Sequence, residues 1–273
     1  MMIQTAPEGA PRFAMLMDEH TALAAQFARA FGNDRFEPVA PKDIVLYIIE
    51  NHDKGWAGYD AAPGTDPKTR LPYNLVDTPP EDITRTSAAS PAFNEKRHPY
   101  CGLLSSMHSW GLYNGRYGLS DKVLIDSIPP EQRHLADRML EGELQRQARL
   151  KTELDRDPEA RAWIEPGHLF QNYKQLQFFD TFALYFNRIH EGARTEASFP
   201  AVPMTAQEDA TVTIRPLGNG TYAVAPFPFA AHPARFEFQG RYLTPAAPGE
   251  TKDWGAELQC APVRTQAFTL IPG

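Results

Sequence analysis

Four stretches of this chain read as helices, and each sets a histidine or an acid on the side its apolar residues turn inward. His20 lies among Leu16, Leu23, Phe27 and Phe31, which share one face at helical spacing. His52 follows Val45, Ile48 and Ile49, with Asp53 directly after it. His108 comes four residues after Leu104 and four before Leu112, and Asp180 lies between Leu176 and Leu184. Burying a lone carboxylate or several imidazoles among hydrocarbon is expensive. A fold that buries all four stripes must pair these groups with one another or with a cation.

Helical signals run from about Arg12 to His190. They predict helices near Phe13 to Phe31, from Pro41 to about Asp53, from Arg97 to Tyr113, a charged outer one from Glu131 to Arg156, and a last long one from Gly167 to His190. The proline-rich stretch from Asp60 to Pro91 has no periodicity and reads as a long loop that covers or walls a site. After Gly192 the period changes to two at Thr211–Arg215, Thr221–Ala225, Arg235–Gln239 and Ala267–Ile271, with a turn signal at Gly218-Asn219-Gly220. The expected architecture is mainly α, a helical bundle over residues 1–198, with a small β unit over 199–273 packed on it.

Among 273 residues, 42% are hydrophobic and the net charge is −7, with no dominant Lys/Arg cluster, so nucleic acid is not the expected partner. No apolar run approaches the roughly 20 residues that span a bilayer. No basic and apolar leader opens the chain, and its two cysteines stand far apart. Those features predict a cytoplasmic protein with no membrane partner, and they leave its oligomeric state open.

Taken singly, each histidine is more often a core or surface residue than a ligand. Together they form a set. Adjacent His52 and Asp53 leave a helix axis about 100° apart and can turn toward one ion. His20 and Asp180 add donors from the first and last helices. Mixed imidazole and carboxylate donors suit Fe, Mn, Zn or Co. The zinc-protease His-Glu-x-x-His pattern, the phosphate-binding glycine loop and the dinucleotide glycine motif are all absent.

The segments around His20, His52-Asp53 and Asp180 resemble the HD-domain superfamily of all-helical metal-dependent phosphohydrolases. More narrowly, the chain resembles a bacterial family called domain of unknown function 3891. The resemblance rests on Asp18-Glu19-His20, His52-Asp53-Lys54-Gly55-Trp56, Leu103-Leu104-Ser105-Ser106-Met107-His108, Gln177-Phe178-Phe179-Asp180 and Pro226-Phe227-Pro228-Phe229. It implies an HD-domain-like bundle in which His20, His52, Asp53 and Asp180 bind one divalent metal, with His108 an added ligand suited to a second. The superfamily's dinuclear pattern takes two histidines from separate helices at that point. Here His98 and His108 are only ten residues apart, about 80° around one helix, so His98 is a further candidate only from the loop before it. His134 and His168 are more distant options.

Around the metal, Lys54 is the expected partner of an anionic substrate and a catalytic cation beside Asp53. Arg116, on a Gly-containing turn, can grip a phosphate or carboxylate by a bidentate fork. Gln177, one turn before Asp180, can orient a ligand or a water, and Trp56 is expected to wall the mouth. The leading expectation is a metal-dependent hydrolase of a small anionic substrate, a phosphate ester, using a metal-activated water. The alternatives are an HD-domain diiron oxygenase and a non-catalytic metal-binding protein.

Overall fold

The computed structural model describes residues 1–273. In chain order the elements begin with strands β1 (Met2–Ile3) and β2 (Arg12–Met15), then helices α1 (Met17–Ala30), α2 (Lys42–Asn51), α3 (Ala57–Ala61), α4 (Pro80–Glu95) and α5 (Pro99–Tyr113). A short turn of helix α6 (Gly115–Gly118) precedes α7 (Arg133–Leu154), α8 (Pro158–Trp163) and the long α9 (Pro166–Arg188). Strands β3 (Ala197–Pro203), β4 (Asp209–Gly218), β5 (Thr221–Ala225) and β6 (Ala234–Leu243), helix α10 (Trp254–Cys260) and strand β7 (Arg264–Pro272) complete the chain. Prolines open α4, α5, α8 and α9 at positions where their missing N–H costs nothing.

The architecture corrects the expectation of a helical bundle with a small β unit. About half of the chain is helical, and the strands form one curled, mixed sheet of seven, a half-barrel, in the order β1-β2-β6-β7-β5-β4-β3. Five strands come from the tail and two from the first fifteen residues. Arg12–Met15, expected to open the first helix, instead pairs antiparallel with β6, Phe13 opposite Tyr242. Gly240 permits that approach, because a Cβ there would lie 2.5 Å from the Phe13 ring. β5 and β7 run parallel, Tyr222 beside Leu270, and the other pairs are antiparallel. Inward positions of β6 alternate as the sequence predicts, with Ala234, Phe236 and Phe238 buried.

The sheet curls around α1 and α9. One apolar cluster of 45 residues runs from Met2 to Leu270 and joins both sides of residue 198. Its centre is aromatic: Phe27 meets Phe182 and Phe236 at centroid distances of 4.8 and 4.7 Å, and Phe186 stacks on Phe268 at 3.7 Å. Most of α9 is buried, so it forms the axis of the molecule. The stretch expected as a loop from Asp60 to Pro91 holds α4, which starts at Pro80 and passes through Pro91. The charged helix α7 is where the sequence puts it, with Ala136, Met139, Leu140 and Leu150 turned inward.

Candidate metal centre and its cavity

Each site residue owes its direction to a local feature. α1 begins at Met17, whose amide is capped by Asp60 Oδ2 at 2.6 Å, and His20 sits in its first turn, one face with Phe27. α2 stops at His52, and Asp53 and Lys54 follow in a tight turn. That turn is pressed against α4: a Cβ on Gly55 would lie 2.2 Å from the Thr86 carbonyl oxygen, so only glycine fits. Ser90 Oγ accepts from the Gly55 amide at 3.0 Å, and the Asn94 amide group donates to the Asn51 carbonyl at 2.8 Å. His108 and Asp180 come from the middles of α5 and α9.

These elements bring His20, His52, Asp53, His108 and Asp180 into one cluster. His20 Nε2 is 3.2 Å from Asp180 Oδ1, and His52 Nε2 is 4.0 Å from the same oxygen and 3.7 Å from Asp53 Oδ2. His108 Nε2 faces the other oxygen of Asp53 at 4.0 Å. Two donors each about 2.1 Å from a shared ion stand roughly 3.0–4.2 Å apart for angles between 90° and 180°. The cluster falls in that range. His20, His52 and Asp180 make one group of mutually close donors, and His52, Asp53 and His108 another.

Hydrogen bonds fix which imidazole nitrogens are free. His52 Nδ1 lies 2.7 Å from the Ile49 carbonyl, which can only accept, so Nδ1 carries a proton. A neutral His52 then turns a bare lone pair at Nε2 toward two carboxylates. Nε2 is fully buried and has no hydrogen-bond partner. A lone pair facing carboxylate oxygens is repulsive, and a proton or a metal ion removes the repulsion. His20 differs: its Nδ1 is held by Asn187 Oδ1 at 2.9 Å, and its Nε2 is already within hydrogen-bond distance of Asp180 Oδ1. For His108, Gln177 Nε2 meets Nδ1 at 2.9 Å while Gln177 Oε1 is left without a partner. The opposite amide orientation lets Oε1 accept from Nδ1 and leaves His108 Nε2 free to ligate.

The electrostatics set two of the histidines, His20 and His108, apart. Burial opposes charging of His20, yet the hydrogen bond and charge of Asp180 outweigh it and hold its pKa above the ordinary value. Burial likewise disfavours the Asp180 carboxylate, but His20 and the Arg116 guanidinium, 3.2 Å away, hold its pKa far below the usual range. His108, buried and beside His52, is pushed down to about 4. It is neutral near pH 7, the form that binds metal.

One wall of the cluster opens into a cavity of about 730 Å³ lined by Asp53, Trp56, His108, Arg116, Gln177 and Asp180 among others. His20 and His52 lie behind this floor. Arg116 enters on a strained turn: it and Tyr117 both have left-handed backbone (φ 53° and 57°) between Gly115 and Gly118. Non-glycine residues held this way cost of order 1–3 kcal/mol each, and such strain clusters at functional sites. Lys54 lies elsewhere, its ammonium 2.7 Å from Asp18, and it does not line the cavity. His98 is apart from the cluster, capping the start of α5 with its Nδ1 and packing on Trp163. His134 is exposed, and His168 is half-buried with its Nε2 2.8 Å from the Ala40 carbonyl, away from the cluster. Leu75, Val76 and Ile83, from the stretch read as a loop, do line the cavity.

Sequence reasoning missed Asn187, Ser90 and Asn94. Each had a signal. Asn187 is seven residues after Asp180 on the same helix face, and Thr86, Ser90 and Asn94 recur every four residues.

A family model matches residues 2–245. The chain belongs to that family, described as Protein of unknown function (DUF3891). The matched DUF3891 region contains every residue of the cluster and the first six strands, and ends before α10 and β7. No curated protein and no solved structure matches the chain. No helix is long and apolar enough to cross a membrane.

Proposed function

We propose that this protein is a metal-dependent hydrolase of a small anionic substrate, a phosphate ester, with a divalent Fe, Mn or Zn ion held by His20, His52, Asp53 and Asp180 and, after its Gln177 partner turns, by His108. The observation that carries the reading is the orphaned Nε2 of His52, fixed as a lone pair by the Ile49 carbonyl and aimed at two carboxylates at the floor of a cavity. The order His20, His52-Asp53, Asp180 supports a likeness to HD-domain phosphohydrolases in ligand order alone, since the seven-stranded sheet departs from an all-helical bundle. Two unpaired cysteines support a cytoplasmic setting.

When bound, the ion supplies Lewis acidity and acidifies water toward neutral pH. The remaining work falls to the chain. Arg116, steadied by Asp180 Oδ2, presents its outer N–H groups to phosphoryl oxygens and takes the role the sequence suggested for Lys54. Asp53, whose side chain is 15% exposed against 0% for His52, is the carboxylate open to the cavity and receives the proton of the attacking water. Asn187 and Gln177 hold His20 and His108 in their rotamers. Trp56 and the apolar walls exclude bulk water, which strengthens the Arg116 contact.

The test is elemental analysis of protein purified without added metal or chelator, followed by phosphate release from a panel of esters and by oxygen uptake of the iron form. Metal in the wild type but not in Asp53→Ala, with metal-dependent phosphate release lost in that variant, is the expected result. Equal metal in both proteins overturns the ligand assignment. Substrate-dependent oxygen consumption by a diiron form without phosphate release replaces the hydrolase by an oxygenase.

A further inference from the structure

The cavity above the cluster is far larger than the anion its floor addresses. A volume of about 730 Å³ lies within the ~300–1,000 Å³ that houses drug-sized ligands, so most of the space faces the rest of the substrate. What that part can be follows from which polar side chains remain free to read it. Six lining residues carry hydroxyls, and each already makes a hydrogen bond within the protein, Ser120 as an acceptor that keeps its own proton. Ser109 donates to the Ser87 carbonyl at 2.9 Å, Ser127 to the Leu124 carbonyl at 2.7 Å and Thr181 to the Gln177 carbonyl at 2.7 Å. Ser87 pairs with the Tyr113 hydroxyl and Ser198 with that of Thr213, both at 3.2 Å, and Ser120 accepts from the Lys122 amide at 3.1 Å. The lining has a single side-chain amide, Gln177; His108 holds one end of it, and the other end is buried without a partner. Its two carboxylates, Asp53 and Asp180, belong to the cluster.

Ser120 and one end of Gln177 apart, hydrocarbon and cations are left. Leu75, Ile83, Leu112, Leu119, Val123 and Leu124 come from the segments between α3 and α7, and Phe178, Leu184 and Phe199 from α9 and β3. Lys174 is bound to Asp209, whereas Lys122 and Arg188 are exposed and enter no ion pair. A nucleobase or a sugar brings several donors and acceptors, each of which loses water on entry and needs a partner here. An alkyl or aryl group needs none, and its burial is favourable in proportion to area.

We propose that the cavity takes a phosphate or phosphonate monoester whose body is apolar, alkyl or aryl, and discriminates against nucleotides and sugar phosphates. The proposal rests on the phosphoester reading of the same site and specifies its substrate class. The anionic head meets Arg116 and the cluster, the body lies against the apolar lining, and Lys122 and Arg188 draw the anion in from solvent.

The test measures binding, not turnover, by calorimetry of zinc-loaded protein with methyl-, butyl- and octylphosphonic acid, glucose phosphate and adenosine monophosphate. Affinity should rise about two- to fourfold per added methylene from methyl to butyl and further to octyl. Glucose phosphate and adenosine monophosphate should bind no better than methylphosphonate. Leu119→Gln and Phe199→Gln, from different segments of the lining, should each weaken octylphosphonate about tenfold and leave methylphosphonate unchanged. An affinity independent of chain length, or tighter binding of the nucleotide or the sugar phosphate, overturns the proposal. A length-dependent series with no metal-dependent phosphate release from octyl phosphate overturns the hydrolase reading and leaves the substrate class standing. Phosphate release at equal rates from all the esters, with a flat binding series, does the reverse.

Discussion

Helices α1 and α9 each take part in two cores built on opposite principles. Toward the sheet, Phe27, Phe182 and Phe186 pack with Phe236 and Phe268, an aromatic region whose bordering polar groups, Gln4 and Arg194, are both bonded to the Phe186 carbonyl. Toward α2 and α5, the same helices bury His20, Asp180 and Asn187 against His52 and His108. The aromatic core is complete in itself, since its stabilisation comes from area removed from water. The polar core is not, because His52 Nε2 has no partner that the chain supplies. That open lone pair is the place the proposed cation would fill, and the neighbouring core holds the geometry around it.

The contrast breaks most visibly under truncation. Phe268→Ala should cost ~3–5 kcal/mol, by loss of burial and by the void left beside Phe186. Denaturant titration should give the same loss with and without added divalent metal. A loss that changes with metal would mean that the two cores are not independent. Next in size is His52→Leu. In metal-free protein it should leave stability unchanged or raise it, since an unsatisfied buried polar group is replaced by hydrocarbon. The stabilisation by metal, about 4 kcal/mol at a thousandfold excess over Kd, should vanish. A metal-induced rise in Tm that survives His52→Leu would remove His52 from the ligand set.

Asn187→Leu sharpens the comparison within the polar core. It keeps His20 but releases its Nδ1, so metal affinity should fall ~10–100-fold with little change in metal-free Tm. Unchanged affinity would show that packing alone orients His20. The smallest effect is in pH. Burial, and after it His52, depress the His108 pKa from 6.5 to about 4. The unfolded chain therefore binds the extra proton first. His108 contributes stability that is present above pH 6.5 and is lost as pH falls toward 4. Metal-free wild type should lose more stability across that window than His108→Gln, measured by denaturant titration at several pH values. Parallel curves would place the source of any acid instability elsewhere.

The candidate cluster was more legible than the fold. His20, His52, Asp53, His108 and Asp180 could be picked out because a polar side chain on an apolar helical stripe carries its cost wherever the helix goes. Arg116, Gln177 and Trp56 likewise line the cavity the sequence anticipated. Lys54 could not be resolved that way. Its position beside Asp53 suggests the cavity, but neighbouring side chains on a turn diverge, and Asp18 in the first turn of α1 takes it. The helix at Pro80 was hidden because its prolines read as breaks, although Pro80 occupies the first helical turn.

By itself the sequence determined which polar side chains fall on inward helical stripes, the helices that carry them, and the alternation of the tail strands, all set by side-chain polarity and periods of 3.6 and 2 that act within a few residues. Tertiary structure decided the rest. It drew residues 2–15 into a sheet with β6, more than two hundred residues away, and turned Arg116 rather than Lys54 toward the carboxylates. It also left the cavity hydroxyls engaged and its walls apolar. Those outcomes depend on backbone pairing and side-chain direction between distant segments. Nothing local distinguishes Arg12–Met15 as a strand from a first helical turn until β6 presents its free hydrogen-bonding edge and Gly240 leaves room for the Phe13 ring.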